Sequence, residues 1–413
     1  MKYWPAIVSA LVALAVAIPV IQELVPGIRL FERVEATPVQ QEQTSAVSRE
    51  AVGDVEVDRL FIGETGVTAP AGPGRSAHLT LDPKVQRAAD AAVKARRIPH
   101  GGSVLMDVRT GEILAHVSRR GGNDKSDVIT TATVVGTDIF KLVTAAALVN
   151  VAGATASTPI CHRDAGKKLE LEDLIEDEQK DTWCPSLAEV LARNLDAPLA
   201  RMAYRELDKE PLEKTAQAFG FGTPVPFDLP VQASRFSVPS TDEGLIRAAL
   251  GAESVTMSAM QGLVLASVVA SQGMMVQPVL VRKVEAAGGR VVYAAPKQPR
   301  YLRRVLSQTT AEELKKMMFE TTEIGEGFRS FHDDTGHPVF GEVKVAGVVG
   351  AEAVVKDAEQ VTWFVGFAPV QEPQVAIAAV VRNRRGASGH ATALAVDILR
   401  GYFESRKGDA PNT

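Results

Sequence analysis

The alternation of apolar and polar residues changes its period along the chain, and each change marks a predicted element. The segment HLTLD at 78–82 alternates with the period of a strand. Residues 83–97 have helical spacing, with Pro in the first turn and Arg at the end. Residues 101–119 hold two apolar runs around the polar turn DVRTG. This part of the chain therefore predicts a strand, a helix and a β-hairpin.

A helical block follows, and more strands come after it. Helices are predicted over 140–152, 186–207, 258–273 and 311–325. Apolar runs with β character at hairpin spacing follow over 343–351, 361–369 and 374–383. A last helix is predicted over 390–406. Hairpins on both sides of a helical block predict an α+β fold, in which helices flank an antiparallel sheet.

The N-terminus predicts export. The run between Lys2 and Glu23 carries no charge and is long enough to span a bilayer as a helix. The early Lys and the aromatic pair after it suit a cytoplasmic interface. A cleaved signal peptide is the alternative, because Ala-Val-Ala at 15–17 fits a cleavage site. The longer apolar run favours an anchor over 1–25, which predicts a single-pass membrane protein with most of the chain in the periplasm or an equivalent space.

Composition separates this segment from the body of the chain. Residues 26–75 are rich in Gln, Glu, Thr, Val, Pro and Gly, which predicts a linker or a short N-terminal region. Short strand-like runs within it, such as RLFIGE, are candidates for docking on the body. The main domain is predicted over 76–405, and a tail over 406–413.

Charge and cysteine content narrow the possible functions. The formal net charge of −5 over 413 residues argues against a nucleic-acid-binding protein. The two cysteines, Cys161 and Cys184, flank a polar segment, and export would allow them to form one disulfide. A metal site that includes His162 is the alternative, but it offers three ligands without paired spacing. The disulfide is therefore the favoured prediction.

Several segments, in order over residues 78–403, resemble the transpeptidase domain of penicillin-binding proteins. The segments that carry the resemblance are HLTLDPKVQRAADAAV, TDIFKLVTAAAL, SLAEVLARNLDAPLARMA, VAGVVGA and TWFVGFAPVQEPQVAIAAVVRN. The resemblance implies an antiparallel sheet flanked by helices with an all-helical subdomain, and a role in cross-linking peptidoglycan. In that family a Ser attacks a D-alanyl-D-alanine stem peptide, and the motifs S-x-x-K, S-x-N and K-T-G perform the chemistry.

The first motif lacks its nucleophile in this chain. The resemblance places Asp138 at the Ser position and Lys141 at the Lys position. A carboxylate in the first turn of a helix is stabilised by the helix dipole, and a Lys three residues later can pair with it. We therefore interpret the pair as structural. Attack by Asp138, or by its neighbour Thr137, is the alternative.

The other two motifs are degenerate as well. Asn194 matches the Asn of S-x-N, but its Ser position is Ala192. The K-T-G positions are Val348, Val349 and Gly350. Two valines cannot donate hydrogen bonds to a substrate carboxylate, and each lost charge-assisted bond is worth about 1.5–3 kcal/mol. Gly350 keeps room for a backbone to approach the strand.

Other polar residues offer weaker candidates. Lys344 lies four residues before Val348, so it is predicted to leave the strand elsewhere. Glu352 could line the same groove or be a plain surface charge. The loop that holds His332 and His337 fits a solvated turn better than a metal site. The sequence predicts no cofactor and no bound metal.

These observations lead to one favoured function and two alternatives. The favoured one is a membrane-anchored, catalytically inactive relative of the transpeptidases, a scaffold in peptidoglycan biogenesis or cell division. Its expected partners are cell-wall synthesis or division proteins, and peptidoglycan stem peptide is a further candidate. The alternatives are an active or divergent D,D-transpeptidase or carboxypeptidase, and a sensor that binds muropeptides or β-lactams without turnover.

Overall fold

The structure is a computed structural model. It describes residues 52–121, 127–136, 138–163, 169, 171–251, 255–355, 359–384, 387 and 389–407. The predicted anchor at 1–25 lies outside these residues. Among the described residues, no helix has both the length and the apolar character needed to cross a membrane.

Helices and strands alternate along the described chain. The helices are α1 (Pro83–Ala95), α2 (Lys141–Ala152), α3 (Leu187–Ala192), α4 (Asp196–Glu206), α5 (Lys209–Ala218), α6 (Asp242–Ala249), α7 (Ala259–Ala270), α8 (Gln308–Glu323), α9 (Phe328–Phe331) and α10 (Ala391–Lys407). The strands up to the helical block are β1 (Phe61–Ile62), β2 (Val67–Pro70), β3 (Arg75–Leu79), β4 (His100–Asp107), β5 (Ile113–Arg119) and β6 (Val134–Val135). The later strands are β7 (Thr256–Met257), β8 (Met274–Val276), β9 (Val281–Ala286), β10 (Val291–Ala294), β11 (Tyr301–Arg304), β12 (Ala346–Val355), β13 (Glu359–Ala368) and β14 (Val375–Arg384).

The main sheet has five antiparallel strands in the order β12-β13-β14-β4-β5. Both of its faces are covered, because α7 packs on one face and α1 and α10 pack on the other. Alternate residues of β4 therefore enter different cores. Val104 and Met106 lie in the larger apolar cluster, and Leu105 lies in the smaller one. The period-2 pattern explains why β4 is buried along its whole length.

The helices between β5 and β12 form a helical layer of their own. α2 packs against α4, α5 and α8, and α3 packs against α8 and α4. α2 and α7 are almost wholly apolar, which suits their burial inside this layer. The α+β arrangement expected from the sequence is confirmed for the described residues.

Two segments have more structure, or more breaks, than their local pattern indicates. The described part of the predicted linker contains β1, β2 and the first residue of β3, and these three strands join β9 and β10 in a second five-stranded antiparallel sheet. The buried positions Val67, Ala69 and Ala77 explain why these strands dock on the body instead of remaining free. The helical stretch predicted over 186–207 is broken into α3 and α4, because Asn194 adopts a left-handed conformation with φ of 52°.

The predicted disulfide is present. The Cys161 and Cys184 sulfurs are 2.04 Å apart. The loop that the disulfide closes is fastened to α4 by Arg201, whose side chain is only 3% exposed. Arg201 donates hydrogen bonds to the Cys161 carbonyl at 2.8 Å and to Asp181 Oδ2 at 2.5 Å. The disulfide loop is thus held against α4 by hydrogen bonds from Arg201.

Candidate active site

The first motif lies at the start of α2, next to the main sheet. Residues 138–140 form a 3-10 turn that leads into the helix. Trp363 on β13 donates a hydrogen bond from Nε1 to the Val135 carbonyl at 3.0 Å, which fixes the strand just before the turn. Phe140 is fully buried and stacks on Phe236 with ring centroids 4.6 Å apart. Apolar packing and one side-chain hydrogen bond therefore position the start of α2. Thr137, the alternative nucleophile, lies outside the described residues.

Lys141 is held between two carboxylates. Its side chain is 2% exposed, and Nζ lies 2.6 Å from Asp138 Oδ1 and 2.5 Å from Asp196 Oδ1. Burial by itself lowers the pKa of Lys141, but the two nearby negative charges and their hydrogen bonds outweigh it, so the pKa is raised above its ordinary value. The amine consequently remains an ammonium at neutral pH.

This protonation state decides what the site can do. A Lys that activates a hydroxyl nucleophile must first hold a free lone pair, and enzymes obtain it by lowering the pKa of that Lys. Here the two carboxylates raise the pKa of Lys141 instead of lowering it. Two oxygens occupy donor directions of the ammonium, one of them from the residue at the nucleophile position. The geometry is that of an ion-pair cluster around a buried ammonium.

Asp196 is the member of this cluster that sequence reasoning missed. It lies 55 residues from Lys141 and belongs to none of the three motifs. One local signal was available, since Asp196 is an acidic residue in the first turn of α4, where the helix dipole favours it. That signal identifies a helix start but does not indicate the partner.

The second motif position connects α3 to the sheet. Ala192 is fully buried, and its carbonyl accepts a hydrogen bond from the Glu326 N–H at 2.9 Å. Asn194, in the break between α3 and α4, donates from Nδ2 to the Val349 carbonyl at 3.2 Å. The structure thus brings the second and third motif positions into direct contact, with the Asn serving as a connector between two segments of the chain.

The third motif lies on β12, an edge strand of the main sheet. Val348 pairs with Val365, and Gly350 pairs with Trp363. Val348 is 3% exposed and belongs to the larger apolar cluster, while Val349 is partly buried against the smaller one. Because neighbouring strand residues face opposite sides, the two valines fill apolar contacts on both faces. Neither side chain can bind a carboxylate.

The remaining polar candidates lie away from the three motif positions or have other partners. Lys344 lies before β12 and pairs with Glu323 Oε2 at 3.5 Å, so the prediction that it leaves the strand elsewhere is confirmed. Asp333 accepts hydrogen bonds from Thr335 and from the His337 backbone in an exposed turn. Nothing is described for the side chain of Glu352. Among the described residues, no group of three or more His, Cys, Asp or Glu side chains could hold a metal ion.

A family comparison agrees with this architecture. The family model for the penicillin binding protein transpeptidase domain matches residues 101–400. The match extends from the first hairpin of the main sheet into the last helix, and it includes every motif position discussed above.

Two relatives, both peptidoglycan D,D-transpeptidases named PbpA, are 24% identical to this chain. The peptidoglycan D,D-transpeptidase PbpA of Mycobacterium tuberculosis is 24% identical over 371 residues, covering 80% of this chain and 72% of that protein. Its counterpart in Mycolicibacterium smegmatis is 24% identical over 362 residues, covering 78% of this chain and 70% of that protein.

Solved structures show the same fold. The D,D-transpeptidase domain of a peptidoglycan glycosyltransferase from Eggerthella lenta has a TM-score of 0.65 at 23% identity, covering 80% of this chain and 83% of that one. Penicillin-binding protein A of M. tuberculosis, solved as a penicillin G acyl-enzyme complex, has a TM-score of 0.61 at 22% identity, with 80% of each chain covered.

Proposed function

Because this chain belongs to the penicillin-binding protein transpeptidase domain family, we propose that it is a catalytically inactive member that acts as a scaffold in peptidoglycan biogenesis or cell division. The proposal includes an N-terminal membrane anchor at residues 1–25 and a main domain outside the cytoplasm. Its partners are proteins of cell-wall synthesis or division.

The observation that carries the proposal is the cluster of Asp138, Lys141 and Asp196. A family member that acylates itself needs a hydroxyl at the helix start and a Lys able to accept its proton. In this chain the hydroxyl position is a carboxylate, and the Lys is bound by two carboxylates at 2.5–2.6 Å. Attack by Asp138 on an acyl carbon would give a mixed anhydride, which hydrolyses far more readily than an ester.

The groups that would recognise a substrate carboxylate are absent as well as the nucleophile. Val348 and Val349 provide no donor for a substrate carboxylate, and the Val349 carbonyl is already bonded to Asn194. The apolar packing of β12 supports the fold without these donors. A family fold that keeps its cores and loses nucleophile, proton acceptor and carboxylate donors is suited to holding partners on its outer surface.

Labelling with a fluorescent penicillin, followed by intact mass measurement, tests inactivity. We expect no adduct on this chain at a probe concentration that fully labels penicillin-binding protein A of M. tuberculosis, the positive control known to form a penicillin G acyl-enzyme. A stable mass increase equal to the probe would contradict the proposal. Peptide mapping would then show whether Asp138 or another residue carries it.

A genetic test addresses the scaffold role. In a strain that lacks this chain, the Asp138→Asn variant should restore the wild-type phenotype, because it removes the carboxylate at the nucleophile position and leaves the Lys141–Asp196 pair in place. The variant should also retain the co-purifying partners of the wild type. If a stably folded Asp138→Asn chain failed to restore the phenotype, Asp138 would have a chemical role.

A further inference from the structure

The outer arm of a long β-hairpin is a free edge of the molecule. β10 pairs with β9, and β11 pairs with β8. Two backbone hydrogen bonds of 2.9 Å join these pairs into one hairpin, from the Ala295 N–H to the Arg282 carbonyl and from the Gln277 N–H to the Arg300 carbonyl. Among the described residues, neither β10 nor β11 has a strand on its other side. We call this outer arm, residues 290–304, the basic edge.

The charge of the basic edge is opposite to that of the rest of the protein. The edge contains no acidic residue and five cationic ones, which are Arg290, Lys297, Arg300, Arg303 and Arg304. Because the whole chain has a formal charge of −5 and this segment has +5, the remaining residues have −10. A run of one sign creates a local potential, and a positive potential attracts anionic partners.

The chain neutralises the cations of the inner arm but leaves those of the basic edge without carboxylates. On the inner arm, Arg282 pairs with Glu112 at 2.8 Å, and Lys283 pairs with Glu285 at 2.6 Å. No ion pair within the described part of the chain involves a cation of the basic edge. The excess positive charge therefore lies on the free side of the hairpin, where an added strand would lie.

Three cations of the basic edge keep their full hydrogen-bonding capacity. Arg303 and Arg304 donate to backbone carbonyls at 3.0 Å each, which fixes β11 on the body. Arg290, Lys297 and Arg300 are exposed, and their side chains donate no hydrogen bond to a described residue. The guanidinium of Arg has a planar fork that can bind a carboxylate through two parallel hydrogen bonds. These three side chains are thus available for carboxylates of a partner.

Two large side chains of the basic edge are exposed beside the charges. Val291 is 51% exposed, and Tyr301 is 55% exposed. β-Branched and aromatic residues stabilise a sheet by packing against side chains of the neighbouring strand. Pro296 and Pro299 lie in the connection between β10 and β11, so neither strand contains a proline that would block pairing. Charge alone would protect an edge from pairing, but this edge also has side chains suited to a neighbouring strand.

The charge of the edge selects its occupant. Pairing with a second copy of this edge would bring like charges together, which is destabilising. An anionic lipid surface would neutralise the cations but offers no row of alternating donors and acceptors for the strand backbone. We propose that an extended acidic segment of a partner protein adds to β10 and β11 as a strand, with its carboxylates on Arg290, Lys297 and Arg300. This surface gives the proposed scaffold role a docking site.

A synthetic acidic strand tests the proposal on the full-length protein. The probe is a fluorescent peptide of alternating Glu and Thr, about ten residues long at about 3.3 Å per residue, which matches the length from Arg290 to Arg300. Fluorescence anisotropy should show saturable binding, and a peptide with Gln in place of Glu should not bind. Binding should weaken about tenfold between about 0.1 M and about 1 M salt, because the Debye length falls from about 10 Å to about 3 Å.

Matched variants connect the binding to the basic edge. A triple variant with Arg290→Gln, Lys297→Gln and Arg300→Gln should weaken peptide binding about tenfold, since each exposed ion pair contributes about two- to threefold. The control variant has Arg329→Gln, Arg400→Gln and Lys407→Gln, which remove the same charges from exposed positions on α9 and α10. The affinity of the control variant for the peptide should equal that of the wild type.

Hydrogen exchange distinguishes strand addition from attraction between charges alone. An added strand pairs with the outward backbone groups of β10 and β11, so amide protons within residues 291–304 should exchange more slowly when the peptide is bound. Amides of the inner strands β8 and β9 are already paired in the hairpin and should change less.

Three results would overturn the proposal. One is binding to phosphatidylglycerol vesicles but not to the acidic peptide, which would make the basic edge a membrane-contacting surface. Another is equal weakening of peptide binding in the two triple variants, which would indicate unspecific attraction. The third is peptide binding without slower exchange in residues 291–304. Penicillin labelling is measured separately, so failure of this proposal and failure of the proposed inactivity are distinguishable.

Discussion

Replacing Lys141 by Met is expected to destabilise the protein strongly, although Lys141 stands where the family resemblance places a catalytic Lys. The side chain of Lys141 is 2% exposed, and that of Asp138 is 13% exposed. The substitution keeps the apolar length of the side chain and removes its charge. It leaves the Asp138 carboxylate, which is largely shielded from water, beside a second carboxylate with no cation between them.

The two halves of the cluster contribute unequally. Breaking a buried ion pair by removing one partner costs about 3–5 kcal/mol, because the remaining charge stays out of water. Asp196 is 50% exposed, so solvent screens its pairing and limits the contribution to about 0–1 kcal/mol. We expect Lys141→Met to lower the free energy of unfolding by about 3 kcal/mol, measured by urea denaturation at neutral pH.

A matched control and a double variant make the assay specific. Lys344→Met makes the same chemical change in a pair at 3.5 Å whose side chains are 29% and 28% exposed, so it should cost no more than about 1 kcal/mol. Adding Asp138→Asn to Lys141→Met removes the stranded charge and should recover part of the loss, giving a coupling free energy of about 1–3 kcal/mol. Similar losses for Lys141→Met and Lys344→Met, or no coupling with Asp138→Asn, would refute the assignment of a buried structural pair.

Three further perturbations test other parts of the structure. Asn194→Ala should lower the unfolding temperature more than Asn194→Gly, because both lose the hydrogen bond to the Val349 carbonyl but only Ala is strained at φ of 52°; equal shifts would contradict this. Cys161→Ser with Cys184→Ser, which opens a loop with a sequence separation of 23, should cost about 3 kcal/mol by urea denaturation, and a reducing agent should then have no further effect on the variant. The lowered pKa of His116 means that its contribution to stability is present above the unfolded-state value of about 6.5 and is lost as the pH falls below it, by up to about 1.4 kcal/mol per pH unit. In the His116→Gln variant the free energy of unfolding should fall less between pH 7.5 and pH 5.5, two values chosen on either side of about 6.5. An unchanged fall would show that other groups cause it.

The periodicity of the sequence anticipated the elements because it reflects which faces are buried. The β4–β5 hairpin and the helices α1, α2, α7, α8 and α10 lie within a few residues of their predicted bounds. A strand that sends Val104 and Leu105 into different cores must be apolar at successive positions, and that requirement is visible in the sequence. The substitution at the first motif is likewise visible in the sequence alone, since Asp138 stands where the family resemblance places a Ser.

The local sequence pattern revealed neither the break between α3 and α4 nor the pairing of the N-terminal strands with the body. Residues 186–207 have helical spacing throughout, and only the left-handed conformation of Asn194 divides them into α3 and α4. The region expected to be a linker has the composition of a loop. The strands β1 and β2 form there because they join β3, which pairs with β9 more than 200 residues later, as the pairing of Ser76 with Glu285 shows. Such pairing partners are too distant in sequence for a local pattern to reveal.

The sequence by itself determined the layers of the fold, which follow from residue type and spacing, and the family resemblance located the motif positions. The tertiary structure decided which residues the side chains at those positions contact. Asp138 and Lys141 are one helical turn apart and could be paired from the sequence, but Asp196 reaches the same ammonium from another helix. Asn194 likewise meets the Val349 carbonyl across 155 residues. Burial strengthens such contacts because water no longer screens them. A buried charge or donor also needs a partner, and the fold alone determines which distant residue provides it.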